Sequence, residues 1–298
     1  MVDPALRFLH GYDRVTLLSC CCGILLCGGW DRDRTTQRQV YLVCNPATEQ
    51  IWEALPVPAA QAGSKNRTIY LCVDDRRRFA VFFFIHDLYH TQQVQVYSSD
   101  TGEWTCVESG WGPRIVVSGG ESDYFFFNGT LHFTAYDCGE ETFDSEGNRV
   151  LKITGWVVTV DMDAKTWRTI RAPHKAFFSF IGQSQGRIYG LQMYRSDYRL
   201  SVWFLEDYAS GQWILRSILE LLGRRPYRNP GEFYSLVAIH PEFNLVFLIG
   251  GDGLDKKLMS YDMDNRKLHV IYTLEEYDKL AFWPYIPCFE ERPSDSAQ

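Results

Sequence analysis

Basic charge, long apolar runs and paired cysteines are all scarce in this sequence. Lys and Arg number 30 against 37 Asp and Glu, a formal net charge of −7. The chain therefore lacks the basic footprint that neutralising a phosphate backbone requires, and nucleic acid is excluded as a partner. No apolar run approaches the roughly 20 residues that cross a bilayer as a helix, so no membrane partner is expected. The nearest candidate, residues 15–27, follows Arg7 and Arg14 like the core of a signal peptide. Gly23 divides it into two runs of strand length, and polar DRDRTTQRQ follows where a small-residue cleavage site would be needed. It reads as a strand pair.

The nine cysteines are odd in number and stand at 20, 21, 22, 27, 44, 72, 106, 138 and 288 with no repeated spacing. That usage suits buried free thiols in a reducing cytosol or nucleus, and a cytoplasmic and/or nuclear location is expected. A structural zinc site needs two short-spaced ligand pairs; Cys20, Cys21, Cys22 and Cys27 have no second pair, and strand alternation sends Cys21 to the face opposite Cys20 and Cys22. The glycines form neither G-x-G-x-x-G nor a Walker loop, and no nucleophile elbow occurs, which removes the usual dinucleotide and phosphate cradles. The nearest approach to a catalytic motif is His86-Asp87-Leu88-Tyr89-His90, one residue from the zinc-protease pattern H-E-x-x-H. It lies between two strand-like runs, so its histidines do not share a helix face; Asp87 is shorter than Glu, and no third ligand presents itself. Adjacent acids at Glu140-Glu141, Glu275-Glu276 and Glu290-Glu291 sit in polar stretches and read as solvated surface. No catalytic, cofactor-binding or metal-binding residue is expected, and the chain is read as non-enzymatic.

Aromatic rings, in contrast, make up 15% of the residues, and they fit pleated, half-buried surfaces better than helix faces. Strand-like runs bounded by turn residues follow one another: VYLVC (40–44), TIYLCV (68–73), FAVFFFI (79–85), VQVYS (94–98), TLHFTAY (130–136), WVVTV (156–160), RIYGLQMY (187–194), LSVWFL (200–205), LVFLIG (245–250) and KLMSYDM (257–263). Arg76-Arg77-Arg78 after Asp74-Asp75 reads as a solvated turn, and Asn128-Gly129 between FFF and LHF as a hairpin turn. The sequon Asn128-Gly129-Thr130 would matter only in a secreted chain.

One unit recurs five times: a strand, Asn or Asp, a polar turn, then Trp. The copies are CNPATEQIW (44–52), YSSDTGEW (97–104), VDMDAKTW (160–167), LEDYASGQW (205–213) and YDMDNRKL (261–268), the last with Leu268 in place of Trp. The anchors lie 46 to 63 residues apart, close to the ~50 of kelch-type propeller blades and room for about four strands. In this reading the turn joins the two outer strands of a blade, and Trp52, Trp104, Trp167 and Trp213 pack between blades; hairpins of an irregular sandwich are the alternative. Gly28-Gly29, Gly119-Gly120 and Gly250-Gly251 end apolar strands, where the backbone can turn sharply near a central axis. The apolar spacing of Ile214, Leu215, Ile218, Leu219, Leu221 and Leu222, ended by Gly223 and Pro226, predicts a short inserted helix.

The stretches CCCGILLC (20–27) and YLVCNPATEQIWEALP (41–56) resemble the opening of the F-box associated domain of plant F-box proteins, where "C-N-G-L-L-C" precedes "V-x-N-P-x-T-x-x-W-x-x-L-P". Segment 3–15 is similar to the stretch that leads into that domain, and 160–170, 260–271 and 284–290 are similar to later parts of it, so the resemblance covers about 15–290. Cys21-Cys22-Gly23 keeps the motif's turn glycine and replaces its Asn. The helical F-box is absent from this chain, since residues 1–15 are too few to hold it. The resemblance implies a substrate receptor of a cullin-based ubiquitin ligase, with a Skp-type adaptor and cullin as partners only if an F-box is present elsewhere.

The expectation is thus an all-β, kelch-like β-propeller of five or six blades with one short helix. Residues 1–14 would form a leader, 15–290 the propeller and 291–298 a disordered tail, with N-terminal strands pairing to C-terminal ones to close the ring. An unknown target protein would be gripped by loops such as 30–38, 86–93, 137–150 and 195–199 and held for ubiquitination. The competing expectations are a kelch-type propeller enzyme or glycan-binding protein, with acids, His or aromatics gathered at the axis, and a truncated gene product that cannot dock on the ligase.

Overall fold

The computed structural model describes residues 3, 5–32, 38–58, 66–86, 91–112, 114–118, 124–137, 139, 141–143, 146, 149–151, 153–173, 176–194, 199–220, 233–252, 255–274 and 284–289. Their strands fall into five antiparallel meanders, four of four strands and one of five, plus one two-stranded ribbon. Blade 1 is β1 (Tyr12–Cys21), β2 (Ile24–Asp31), β3 (Gln39–Asn45) and β4 (Gln50–Pro56); blade 2 is β5 (Asn66–Val73), β6 (Phe79–His86), β7 (Thr91–Ser98) and β8 (Glu103–Val107). In blade 3, β9 (Ile115–Val117) and β10 (Tyr124–Phe127) both run along β11 (Thr130–Asp137) as a divided inner strand, while β12 (Glu141–Phe143) and β13 (Arg149–Leu151) form the separate ribbon. Blade 3 is completed by β14 (Thr154–Asp161) and β15 (Trp167–Arg171). Blade 4 is β16 (Phe180–Ser184), β17 (Arg187–Tyr194), β18 (Arg199–Asp207) and β19 (Gln212–Glu220); blade 5 is β20 (Phe233–Ile239), β21 (Leu245–Asp252), β22 (Asp255–Asp262) and β23 (Lys267–Leu274). The molecule is an all-β, five-bladed propeller.

A blade buries neither face alone, so neighbours cover each other. The run FAVFFFI shows how: Ala80, Phe82 and Phe84 pack with Leu131, Phe133, Val158 and Val160 of blade 3. The intervening Phe79, Val81, Phe83 and Ile85 pack with Ile24, Leu26, Tyr41 and Val43 of blade 1. A continuous apolar run is what a strand buried on both faces requires. The repeated unit lands where expected, between the third and fourth strand of every blade. Asp161, Asp207 and Asp262 accept backbone N–H groups two to five residues on, as in an Asx turn, Asn45 Oδ1 accepts from Ala47 N, and Ser98 Oγ takes this role in blade 2. Cys22-Gly23 and Asn128-Gly129 are hairpin turns with φ of +50°, +78°, +49° and +74°, and Arg76–Arg78 turn around Asp74, whose Oδ1 accepts from Arg76 N and Arg78 N.

Three expectations are corrected. The predicted helix at 214–222 is strand through Glu220, as β19, and Leu221, Leu222, Gly223 and Pro226 lie outside the described residues. A bulge causes the misreading: Leu215 pairs with Trp203 and Ser217 with Val202, leaving Arg216 over. One extra residue shifts the alternation by one, so apolar side chains at 214, 215, 218 and 219 acquire helix-like spacing. The one helical element among the described residues is a 3-10 turn at Arg7–Leu9.

The ring is also not closed by exchange of strands: among the described residues β1 pairs with β2 and β23 with β22. Instead Leu6, Phe8 and Leu9, within the expected leader, and Tyr285 cover Leu25, Cys27, Leu42 and Cys44 of blade 1. Two of the three double glycines, Gly28-Gly29 and Gly250-Gly251, lie within second strands, β2 and β21, rather than at sharp turns by the axis. A Cβ on Gly250 would stand 2.1 Å from the Tyr234 ring, and one on Gly28 3.2 Å from Leu18, so these positions admit an inner-strand side chain across the sheet. Gly119-Gly120 and the tail 291–298 lie outside the described residues.

Candidate functional site

Strand direction sorts the connections into two sets. Those from second to third strand and from fourth strand to the next blade leave one end of the ring; the two kinds of hairpin turn, first to second and third to fourth, leave the other. The four loops proposed for target binding start after β2, β6, β11 and β17. All four therefore leave the same end. Residues 33–37, 87–90, 138, 140, 144–145, 147–148 and 195–198 within them lie outside the described residues, as do Asp87 and His90 of the near-metalloprotease motif. His86 is the last residue of β6, paired in backbone register with Thr91 of β7.

At the end that carries the hairpin turns, a cleft of about 510 Å³ opens between blades 3 and 4, within the size range of ligand pockets. Its walls are Phe127, Ile188, Phe204 and Leu205; Asn128 and Thr130 come from the β10–β11 turn, and Arg187 and Glu206 from β17 and β18. At its base His132 is 2% exposed and stacks on Phe125 at 4.6 Å. Its Nδ1 lies 3.1 Å from the Thr130 carbonyl oxygen and its Nε2 3.4 Å from the Tyr208 hydroxyl. The carbonyl fixes the tautomer with the proton on Nδ1, so Nε2 is left as the acceptor. Burial pushes its pKa down from 6.5 to about 4, against the two backbone hydrogen bonds that raise it, and the ring is neutral at pH 7. Tyr208 is held from behind by Arg168, whose guanidinium lies 4.9 Å from the ring centre and donates to the Ala209 carbonyl at 2.9 Å. The Arg187 guanidinium stands 5.4 Å from the centre of the Phe204 ring. The cleft offers apolar walls, a neutral acceptor beneath, and one cation and one anion at the rim.

The inner strands enclose a second cavity of about 240 Å³, lined by Cys20, Cys21, Cys22, Tyr124, Phe125, Phe126, Phe180, Ile181, Ile239, Pro284 and Ile286 among others. The described lining of this axial chamber is apolar, aromatic and thiol-bearing; Gln183 is its one amide, and no Asp, Glu or His is among these residues. Beside it the buried Ser19 hydroxyl accepts from Leu71 N at 2.9 Å and meets the Tyr124 hydroxyl at 2.5 Å, tying three inner strands together. Burial pushes the Tyr124 phenol up.

The four tryptophans stand at blade junctions. Trp52 and Trp104 pack on the blade 1–blade 2 core, and Trp104 Nε1 donates to the Pro56 carbonyl of blade 1 at 2.8 Å. Trp167 meets Trp111 edge-on at 4.8 Å against the blade 2–blade 3 core, and Trp213 meets Phe178 at 4.7 Å between blades 3 and 4. Leu268, the fifth anchor, is 36% exposed. Sequence reasoning did not single out His132, Arg187, Glu206 or Tyr208. Within TLHFTAY a histidine looks like any other alternating residue, and only the Asn128-Gly129 turn at the cleft's lip carried a signal.

Eight cysteines, at 20, 21, 22, 27, 44, 72, 106 and 288, are free thiols, and Cys138 lies outside the described residues. No group of three or more potential metal ligands occurs among the described residues, and none of their helices is long and apolar enough to cross a membrane.

No protein-family model matches the chain, and no curated protein matches it in sequence. Solved structures of similar architecture include the propeller of Dos1, with a TM-score of 0.45 and 12% identity over 90% of this chain and 62% of that one. A chain of a nidogen/laminin complex aligns with a TM-score of 0.44 and 11% identity over 89% of this chain and 81% of its own. A prolyl endopeptidase gives 0.43 and 14% over 86% and 34%. The five-bladed assignment rests on the strand pairing itself.

Proposed function

We propose that this protein is a kelch-like, non-catalytic recognition domain that binds a target protein at one end of its ring, in the manner of the F-box associated domains of ubiquitin-ligase receptors. The observation that carries the reading is the pair of stretches CCCGILLC and YLVCNPATEQIWEALP, which build consecutive hairpins of blade 1, β1–β2 and β3–β4, with the Asn45-Pro46 turn at its tip. It is supported by the departure of the four candidate binding loops from a single end of the ring, since loops held on a rigid scaffold are where binding residues concentrate. A cytoplasmic or nuclear site follows from this reading and is consistent with eight free thiols.

The test is affinity purification of the chain with an F-box fused upstream, followed by mass spectrometry. Recovery of a Skp-type adaptor, a cullin and one reproducible target is expected. Replacing residues of the second-to-third-strand loops should remove the target and keep the adaptor; replacing turn residues at the opposite end should remove neither. Without the fused F-box the target alone should be recovered. Recovery of the ligase with no reproducible target overturns the proposal.

A small-ligand or glycan-binding propeller is the second reading, and the cleft between blades 3 and 4 is what favours it. It predicts that a sugar or small aromatic ligand stabilises the protein, and that Tyr208→Ala and Arg187→Ala abolish this; the recognition-domain reading predicts that they leave target binding unchanged.

A further inference from the structure

The strongest unexplained chemistry in the molecule is the thiol group at the β1–β2 turn. Cys21 ends β1 and is 7% exposed, whereas Cys22 is exposed at the first turn position with φ of +50°. Although residues adjacent on a strand point to opposite faces, the turn brings the two sulfurs within 3.9 Å, with the Cys21 S–H directed at Cys22 Sγ. Both line the axial chamber. The turn is also clamped: a Cβ on Gly23 would lie 2.2 Å from the Ile286 carbonyl oxygen and 2.9 Å from Cys288 N, and Asn45 Nδ2 donates to the Cys288 carbonyl.

We propose that Cys21 and Cys22 are a vicinal dithiol and a redox modification site, which a hydroperoxide closes to an intraturn disulfide and a thiol reductant reopens. Cys22 is the attacking group. The hydrogen bond from Cys21 brings its thiol down to about 7, assisted by Arg77 and opposed by burial, while burial pushes neighbouring Cys20 up to about 12 and raises Cys72 as well. At neutral pH much of Cys22 is thereby the thiolate, the nucleophilic form. Its sulfur attacks one peroxide oxygen; the O–O bond breaks, the other oxygen leaves as alkoxide or hydroxide and takes a proton from water, and Cys22 becomes a sulfenic acid. The Cys21 sulfur then attacks Cys22 Sγ, the S–O bond breaks, and water leaves with the Cys21 proton. Two thiols and one hydroperoxide give one disulfide, one alcohol and one water.

The test is brief treatment of the whole protein with hydrogen peroxide, then digestion after Arg14 and Arg32 and mass spectrometry of peptide 15–32. The expected product has lost two hydrogens, shows no fragmentation between Cys21 and Cys22, and reverts with dithiothreitol. Cys20→Ser and Cys27→Ser should still form it. Cys21→Ser should stop at a sulfenic acid on Cys22 that dimedone traps. Cys22→Ser should do neither, and Cys22→Asn, a residue suited to this left-handed turn position, provides a folded control checked by circular dichroism. Loss of two hydrogens that persists in both Cys22 variants overturns the proposal. So does a bridge mapped to Cys20, to Cys27 or between two molecules, or oxidation of the exposed Cys106 ahead of Cys22.

Discussion

Burial of His132 makes stability depend on pH. Its folded pKa, about 4, lies below the 6.5 of the unfolded chain, so between these values the unfolded state binds a proton that the folded state refuses. Stability is therefore at its full value above pH 6.5 and falls as pH drops toward 4, by on the order of 3 kcal/mol if the whole shift is realised. Urea unfolding at pH 7.5 and 4.5 measures this, and His132→Asn should flatten the slope between them; an unchanged slope would assign it to another histidine. The turns hold a second residue-scale effect. Glu49, Gly102, Gly211 and Arg266 each stand four residues after the capping Asx or Ser and have φ of +57°, +71°, +71° and +55°. Two blades thus use glycine where two others force a side chain into the left-handed region. Arg266→Gly relieves a strain of roughly 1–2 kcal/mol against a chain-entropy cost of roughly 0.5–1, so thermal unfolding should shift upward by the equivalent of up to about 1 kcal/mol.

Within the elements, the glycines decide what can cross a sheet. In β17 a Cβ on Gly190 would stand 2.5 Å from the Phe178 ring, which itself packs on Trp213. Gly190→Ala should cost about 1–3 kcal/mol by denaturant melting, because the ring has to leave the blade 3–blade 4 core or the strands must separate. Sequence reading recognised the adjacent pairs of glycines and missed this single one, since nothing in RIYGLQMY shows which side chain lies over it. The five repeated turn units were legible because their chemistry is local: the cap, the turn and the anchor residue, Trp in four units and Leu268 in the fifth, all fall within nine residues. The bulge in β19 was not, since its cause is the partner strand: Val202 and Trp203 pair with Ser217 and Leu215 and leave Arg216 out. The cleft was illegible for the same reason, being built from β10, β11, β17, β18 and the turns beside them in blades 3 and 4, up to about eighty residues apart in the chain.

Across the whole ring the junctions are unequal. Apolar clusters join blades 1 to 2, 2 to 3, 3 to 4 and 4 to 5. Between blades 5 and 1 the described residues form no such joint cluster. The blade 1 face is covered by Leu6, Phe8, Leu9 and Tyr285, and on β23 Leu268, Val270, Ile271 and Tyr272 are 36–58% exposed. A propeller opens where the fewest apolar contacts resist, so blade 5 should separate from blade 1 before any other pair parts. Hydrogen exchange tests this directly: amides of β22 and β23 should exchange faster than those of β6, whose side chains from Phe79 to Ile85 are buried on both faces. Leu9, 3% exposed in the segment that substitutes for a blade contact, gives the companion experiment. Leu9→Ala should cost about 2–4 kcal/mol and raise exchange in β2 and β3 more than in blade 3. Exchange of all five blades as one unit, unaffected by the substitution, would mean that the ring is held as tightly at this seam as elsewhere.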